Sequence, residues 1–181
     1  MEFTESQTDM RKAYYSGATG VLASGVVWLI AGIVGTSFSS TLSMLTLFIG
    51  GMFIFPLSII GAKLLGRSGK HASNNSLRHL AIESLAILFA GLFLAYCIAQ
   101  YNVELFYPIM LLTIGSRYLA FQTLYGLRIY WLMGLLLMVV GISSTMLHLP
   151  FIYGAYIGGL IEVIFAMIIF LQSKVDVKAP L

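Results

Sequence analysis

Two residues of opposite charge, Arg117 and Glu162, interrupt otherwise apolar stretches of this sequence. A charge at the centre of a bilayer costs about 2.5 to 3.5 kcal/mol or more, so each needs a partner, a route to the headgroups, or a role in a site. Counted along their expected helices at 1.5 Å per residue, they lie roughly 21 Å and 17 Å from the same membrane face. Their similar depths predict one buried polar unit, with an Arg117–Glu162 ion pair offsetting both charges. Tyr118, Gln122 and Tyr125 follow at helical spacings and bring polar tips towards the arginine's face, although tyrosine also suits membrane interfaces. Glu83, one turn after His79, is expected to join this cluster from a shallower level. Arg117 is long enough to snorkel to the headgroups, whereas Glu162 is too short. Two uses stay open: charges that only hold helices together, as in a membrane scaffold or partner subunit, and a cytoplasm-facing polar pocket that binds or moves a small solute or ion.

No other constellation points to catalysis. His71, His79 and His148 lack metal-ligand spacing and lie near helix ends, away from the depth an intramembrane serine hydrolase would need, and no carboxylates pair one turn apart within the apolar runs. Cys97 is the only cysteine, which excludes an intrachain disulfide and a thiolate zinc site. Gly66-Arg67-Ser68-Gly69-Lys70 could wrap a phosphate, but arginine follows Gly61-x4-Gly66 where a P-loop needs lysine. The plainer reading of that stretch is a basic loop beside anionic lipid. The expectation is a protein that is not an enzyme and has no metal and no cofactor.

These residues must be positioned by helices in lipid. The chain is 59% hydrophobic and 9% charged, where soluble domains are roughly a quarter charged, and its mean hydropathy is +0.94. Six apolar runs each match the ~20 residues that cross a bilayer: Ala13 to Gly35, Thr41 to Ala62, Leu80 to Ala99, Val103 to Gln122, Ile129 to Leu147 and Phe151 to Leu171. The basic residues fall on one side of the membrane or close to it, and the three opposite loops contain none. Arg11 and Lys12 precede the first; Lys63, Arg67, Lys70 and Arg78 follow the second; Arg117 and Arg128 flank the end of the fourth; Lys174 and Lys178 follow the sixth. Because basic residues stay in the cytoplasm, this pattern predicts an all-α polytopic protein of about six spans with both termini cytoplasmic. Residues 1–12 then form a cytoplasmic segment, 13–172 one transmembrane domain with a basic cytoplasmic loop at 63–79, and 173–181 a cytoplasmic tail. The first run exceeds a signal-peptide core and lacks a clear cleavage site, so it reads as a retained helix. Scattered cations of this kind are topology signals, which argues against nucleic acid and leaves the lipid bilayer as the main partner.

Within the first run, Gly17, Ser24 and Ala31, with Ala18, Gly25 and Gly32 beside them, form a stripe of small residues. Such a stripe lets a second helix approach closely, either inside the bundle or from another copy in a homo-oligomer. Trp28 is expected on a different side. Pro56 should kink the second run by removing a hydrogen bond to the Met52 carbonyl.

The stretch Arg11-Lys12-Ala13-Tyr14, with Gly17, Gly20, Ser24-Gly25 and Val27-Trp28-Leu29, and the stretches Arg117-Tyr118-Leu119-Ala120-Phe121 and Leu124-Tyr125-Gly126, resemble an uncharacterised family of small bacterial multi-pass membrane proteins. The likeness spans most of the chain. It departs at Arg117 and Ala120, where the family pattern has His and Pro. The resemblance implies a bacterial cytoplasmic membrane and carries no activity with it.

Overall fold

The computed structural model describes residues 1–178, with side chains described through Lys174. Among the described residues the chain is all helix, turn and loop: α1 (Phe3–Tyr14), α2 (Ala18–Ser37), α3 (Ser40–Leu64), α4 (Leu77–Ala99), α5 (Phe106–Tyr125), α6 (Ile129–Met146) and α7 (Phe151–Lys178). Short 3-10 turns occupy Tyr15–Gly17 and Val103–Leu105. The helical stretches Phe3–Ser37, Ser40–Leu64, Leu77–Ala99, Ile129–Met146 and Phe151–Lys174 are long and apolar enough to cross a membrane. The expected tail at 173–181 is helical as far as Lys178; the side chain of Lys178 and residues 179–181 lie outside the described residues.

α5 completes the six long helices but falls outside that apolar group. At 20 residues it is long enough; Arg117, Gln122 and its tyrosines lower its hydropathy. Its position explains how lipid tolerates this, since α4, α6, α7 and α1 all pack against it. α3 and α4 are the opposite case. Only 17% and 11% of their most apolar windows are buried by protein, so their remaining faces are left to lipid.

Two glycine pairs set the closest helix crossings. A Cβ built on Gly25 of α2 would lie 2.9 Å from the Gly159 carbonyl oxygen of α7, and one on Gly159 would lie 2.9 Å from the Gly25 carbonyl oxygen. Gly115 of α5 and Gly134 of α6 repeat this reciprocity at 2.6 Å in each direction. Small residues let the backbones touch, which is the main source of packing energy where lipid is as apolar as leucine. The small stripe of α2 therefore lies against α7. Gly32 meets the Tyr156 ring at 3.0 Å from its built Cβ, and Ser24 is buried.

Trp28 departs from its expected side. It is 2% exposed, lies tilted against Tyr107 of α5 with ring centres 5.5 Å apart, and closes over Gly158. The ring shares a wide buried face with the stripe because α2 is covered by both α3 and α7. At Pro56, α3 runs on as one continuous helix, with the proline on its exposed face.

The first expected run divides into two helices. Tyr15, Ser16 and Gly17 adopt left-handed φ values of 50°, 57° and 87°, so α2 begins at Ala18 rather than Ala13. Gly17 is required there because the Tyr130 hydroxyl and the Tyr125 ring fill the space a Cβ would take. Tyr130 Oη in turn donates to the Ser16 carbonyl at 2.6 Å. The turn folds α1 back across one end of the bundle, burying Ser6, Gln7, Met10, Ala13 and Tyr14.

α1 then binds two neighbours by polar contacts. Gln7 Nε2 donates to the Thr123 carbonyl at 2.8 Å, and Arg11 Nη1 to the Tyr125 carbonyl at 2.7 Å. These carbonyls end α5 and have no partner within the helix, and a cation there also favours the negative end of the helix dipole. On its other side Asp9 accepts from Ala72 N at 2.9 Å and Asn75 Nδ2 at 2.8 Å. The loop between α3 and α4 is thereby folded against α1, with Asn75 fully buried.

Candidate functional site

Glu162 lies within α7 and is 1% exposed. The Gly25–Gly159 contact draws α2 close to α7 one turn before it, and α5 brings Tyr118 to the same level. Tyr118 Oη donates to Glu162 Oε1 at 2.6 Å, a short distance characteristic of a charge-assisted bond. Ser24 of α2 lies close enough to the carboxyl to act as a second, looser donor, while Oε2 is buried and makes no hydrogen bond of full geometry. A carboxylate removed from water needs more than one hydrogen bond to offset its desolvation. The arrangement is half satisfied.

Arg117 is half-buried and turns away towards α4. Its Nε donates to Ser84 Oγ at 3.2 Å, and its guanidinium lies 5.2 Å from the centre of the Phe121 ring. Ser84 is itself buried and donates to the Ala81 carbonyl at 2.7 Å. Among the described hydrogen bonds none joins Arg117 to Glu162. The two charges remain close enough to interact, while neighbouring residues of α5 make separate hydrogen bonds, Arg117 to Ser84 and Tyr118 to Glu162. Successive helical positions point about 100° apart, so Tyr118 faces α7 while Arg117 faces α4.

The same angular rule moves Glu83 out of the cluster. Glu83 is exposed, and its neighbour Ser84 takes the position facing Arg117. Gln122 is half-buried; its described hydrogen bond is through its main-chain carbonyl, which accepts from Gly126 N at 2.6 Å. Gly126, with φ 70°, ends α5 as its sequence position suggests. Tyr125 is buried and stacks on Tyr130 at 5.5 Å, and Tyr130 stacks on Tyr118 at 6.0 Å. Phe121 meets Tyr118 edge-on at 5.5 Å. This aromatic packing limits the freedom of the Tyr118 ring and fixes where its hydroxyl points.

Reasoning from sequence missed Ser84 as a partner of Arg117. A lone serine in an apolar helix carries no signal of its own, because small hydroxyl residues are ordinary packing residues in membrane helices.

The geometry says what the carboxyl meets, and comparison says where the chain belongs. A family model matches residues 3–172. The chain belongs to DUF7010, a family of unknown function. The match takes in α1, the left-handed turn, every long helix and both halves of the Tyr118–Glu162 contact, consistent with an uncharacterised family. Neither the curated proteins nor the solved structures contain a match to this family member. It is an integral membrane protein by the length and apolar character of its helices.

Proposed function

We propose that this membrane protein binds or moves a small ion at Glu162, with the end of the bundle that carries α1 and the α3–α4 loop in the cytoplasm. The observation that carries the reading is the buried Oε2 without a full hydrogen bond beside a short Tyr118 bond. Arg117 is near the carboxyl without a hydrogen bond to it, which leaves room for a proton or a small cation to complete the balance. Ion-sized cargo fits better than a bulky solute, because α2, α5 and α7 close on the carboxyl. A described cavity of about 220 Å³ lies elsewhere, lined by Asn102, Glu104, Leu105, Ser144, Thr145, His148 and Leu149.

The test is ion flux into liposomes containing the purified protein, followed with a pH-sensitive dye under proton or monovalent-cation gradients. Glu162→Gln should reduce flux at least about tenfold, a change in barrier of roughly 1.4 kcal/mol, while keeping a cooperative thermal transition. Wild-type flux no faster than empty liposomes would sink the proposal. That result would favour a scaffold, a reading supported by the way Tyr118 and the two glycine pairs lock helices together.

Orientation is tested separately. Reporters fused after Lys70 and at the C-terminus should both report the cytoplasm, and one near Asn102 the outside, because the basic residues follow the retention rule. An external signal from the loop at 63–79 would reverse the topology.

A further inference from the structure

Arg67, in the loop after α3, is used neither by the helix crossings nor by the Glu162 site. Its guanidinium carbon lies 4.6 Å from the centre of the Tyr15 ring. Tyr15 packs on Phe170 of α7 at 5.2 Å, and Lys174 Nζ lies 4.5 Å from the centre of the Phe170 ring. Two cations from distant parts of the chain are thus mounted on one aromatic pair. The mount is held by the left-handed turn at Tyr15, whose hydroxyl donates to the Leu65 carbonyl at 2.5 Å.

Contact with the Tyr15 ring holds the guanidinium in place without using its N–H donors. Among the described hydrogen bonds none is donated by the Arg67 side chain; its Nε is shielded from solvent, so the edge open to a ligand is the outer one formed by Nη1 and Nη2. Three other arginines do find acceptors: Arg11 on the Tyr125 carbonyl, Arg78 on the Ser73 carbonyl and Arg117 on Ser84. A planar donor edge fixed by an aromatic ring matches two oxygens of a phosphate, and a lysine supplies a second, less directional charge. Immediately before this loop, Leu64 and Leu65 are 82% and 46% exposed. They give the site an apolar rim that a free phosphate would not use.

We propose that Arg67 and Lys174, mounted on Tyr15 and Phe170, bind the phosphate group of an anionic lipid headgroup, with the acyl chains against Leu64 and Leu65. The bound lipid links the turn before α2, the loop after α3 and the end of α7.

The experiment measures lipid retention by the purified full-length protein, using native mass spectrometry after exchange into phosphatidylglycerol or phosphatidylcholine. Wild type should retain phosphatidylglycerol selectively. Arg67→Gln and Lys174→Gln should each cut that retention about fivefold, the worth of one cation near an anionic lipid surface. Arg67→Lys keeps the charge but loses the planar edge, and should remain weaker than wild type. Lys70→Gln removes an exposed cation of the same loop that has no aromatic mount, and should change little. Equal losses from Lys70→Gln and Arg67→Gln would show only general attraction and overturn the site, as would unchanged retention by Lys174→Gln, whose exposed side chain makes misfolding an inadequate explanation. Displacement of phosphatidylglycerol by millimolar inorganic phosphate would overturn the lipid source and assign the same cations to a soluble phosphate.

Discussion

Gly115→Leu should leave little folded protein. A Cβ at that position sits 2.6 Å from the Gly134 carbonyl oxygen and 2.6 Å from Met138 Cγ. The side chain of Met138 can rotate, but the Gly134 backbone can move only if α5 and α6 separate. Overpacking of a tight core costs up to about 3 kcal/mol, and more where backbone must shift. Separation would also displace α5, which holds Tyr118 towards α7 and Arg117 towards α4. The measurement is the thermal transition in detergent together with the monodisperse fraction on gel filtration. Gly51→Leu is the matched control, because a Cβ there meets nothing within 4 Å; its transition should stay close to wild type. A Gly115→Leu protein that melts with the Gly51→Leu protein would mean that the α5–α6 crossing is looser than described.

The second large effect concerns the carboxyl. Tyr118→Phe removes the short hydrogen bond to Glu162 and leaves Ser24 as the neighbouring donor to a buried carboxyl. Hydrogen bonds to charged groups contribute about 1.5 to 3 kcal/mol, and an unsatisfied charge adds its desolvation penalty when the partner is lost. Glu162→Leu removes the charge, so adding Tyr118→Phe to it should cost much less than Tyr118→Phe alone. A double-mutant cycle on thermal stability should therefore give a coupling of about 1.5 kcal/mol between these residues. The same cycle between Arg117→Met and Glu162→Leu should give a smaller coupling, because the arginine donates to Ser84 instead. A larger coupling for the arginine would show that charge, rather than the tyrosine hydroxyl, holds the carboxyl. Stability and ion flux read together distinguish a structural contact from an ion site, since only the latter needs the carboxyl for flux.

The long helices were legible because a bilayer imposes a length on every apolar run. The ends of α4, α6 and α7 that face short turns fall close to their expected positions for the same reason. Glu162 also stood out from sequence, since a short charged side chain within such a run has no route to water. Its partner was harder to see. Depth along a helix constrains only one coordinate, and the rotation that turns Tyr118 towards α7 and Arg117 towards α4 is set by how three helices cross. Glu83 and Ser84 show the same limit, because adjacent residues share a depth while only one faces inward. Trp28 was misplaced because a helix covered on two sides buries a wider arc than a single stripe of small residues marks. In α1, Met10, Ala13 and Tyr14 do have helical spacing, but the polar residues buried beside them, Ser6 and Gln7, hide the inward face. Gln7 is buried against the Thr123 carbonyl, and Ser6 offers its own carbonyl to the Asn75 side chain of the loop, contacts that hydropathy does not register.

The docking of α1 has a consequence for biosynthesis. The contacts from Gln7 to Thr123 and from Arg11 to Tyr125 span 116 and 114 residues of sequence. The first helix to leave the ribosome therefore cannot reach its final seat until α5 has been made and has entered the membrane. Until then its inward face, with Met10, Ala13 and Tyr14, has only α3, α4 and the loop between them as neighbours. Domains tend to assemble from the N-terminal end as they are synthesised, whereas this chain holds its N-terminal helix back as a late closing element. The contacts of Asp9 with Ala72 and Asn75, by contrast, join segments of the first half and need nothing from α5, so the basic end can be assembled in two stages.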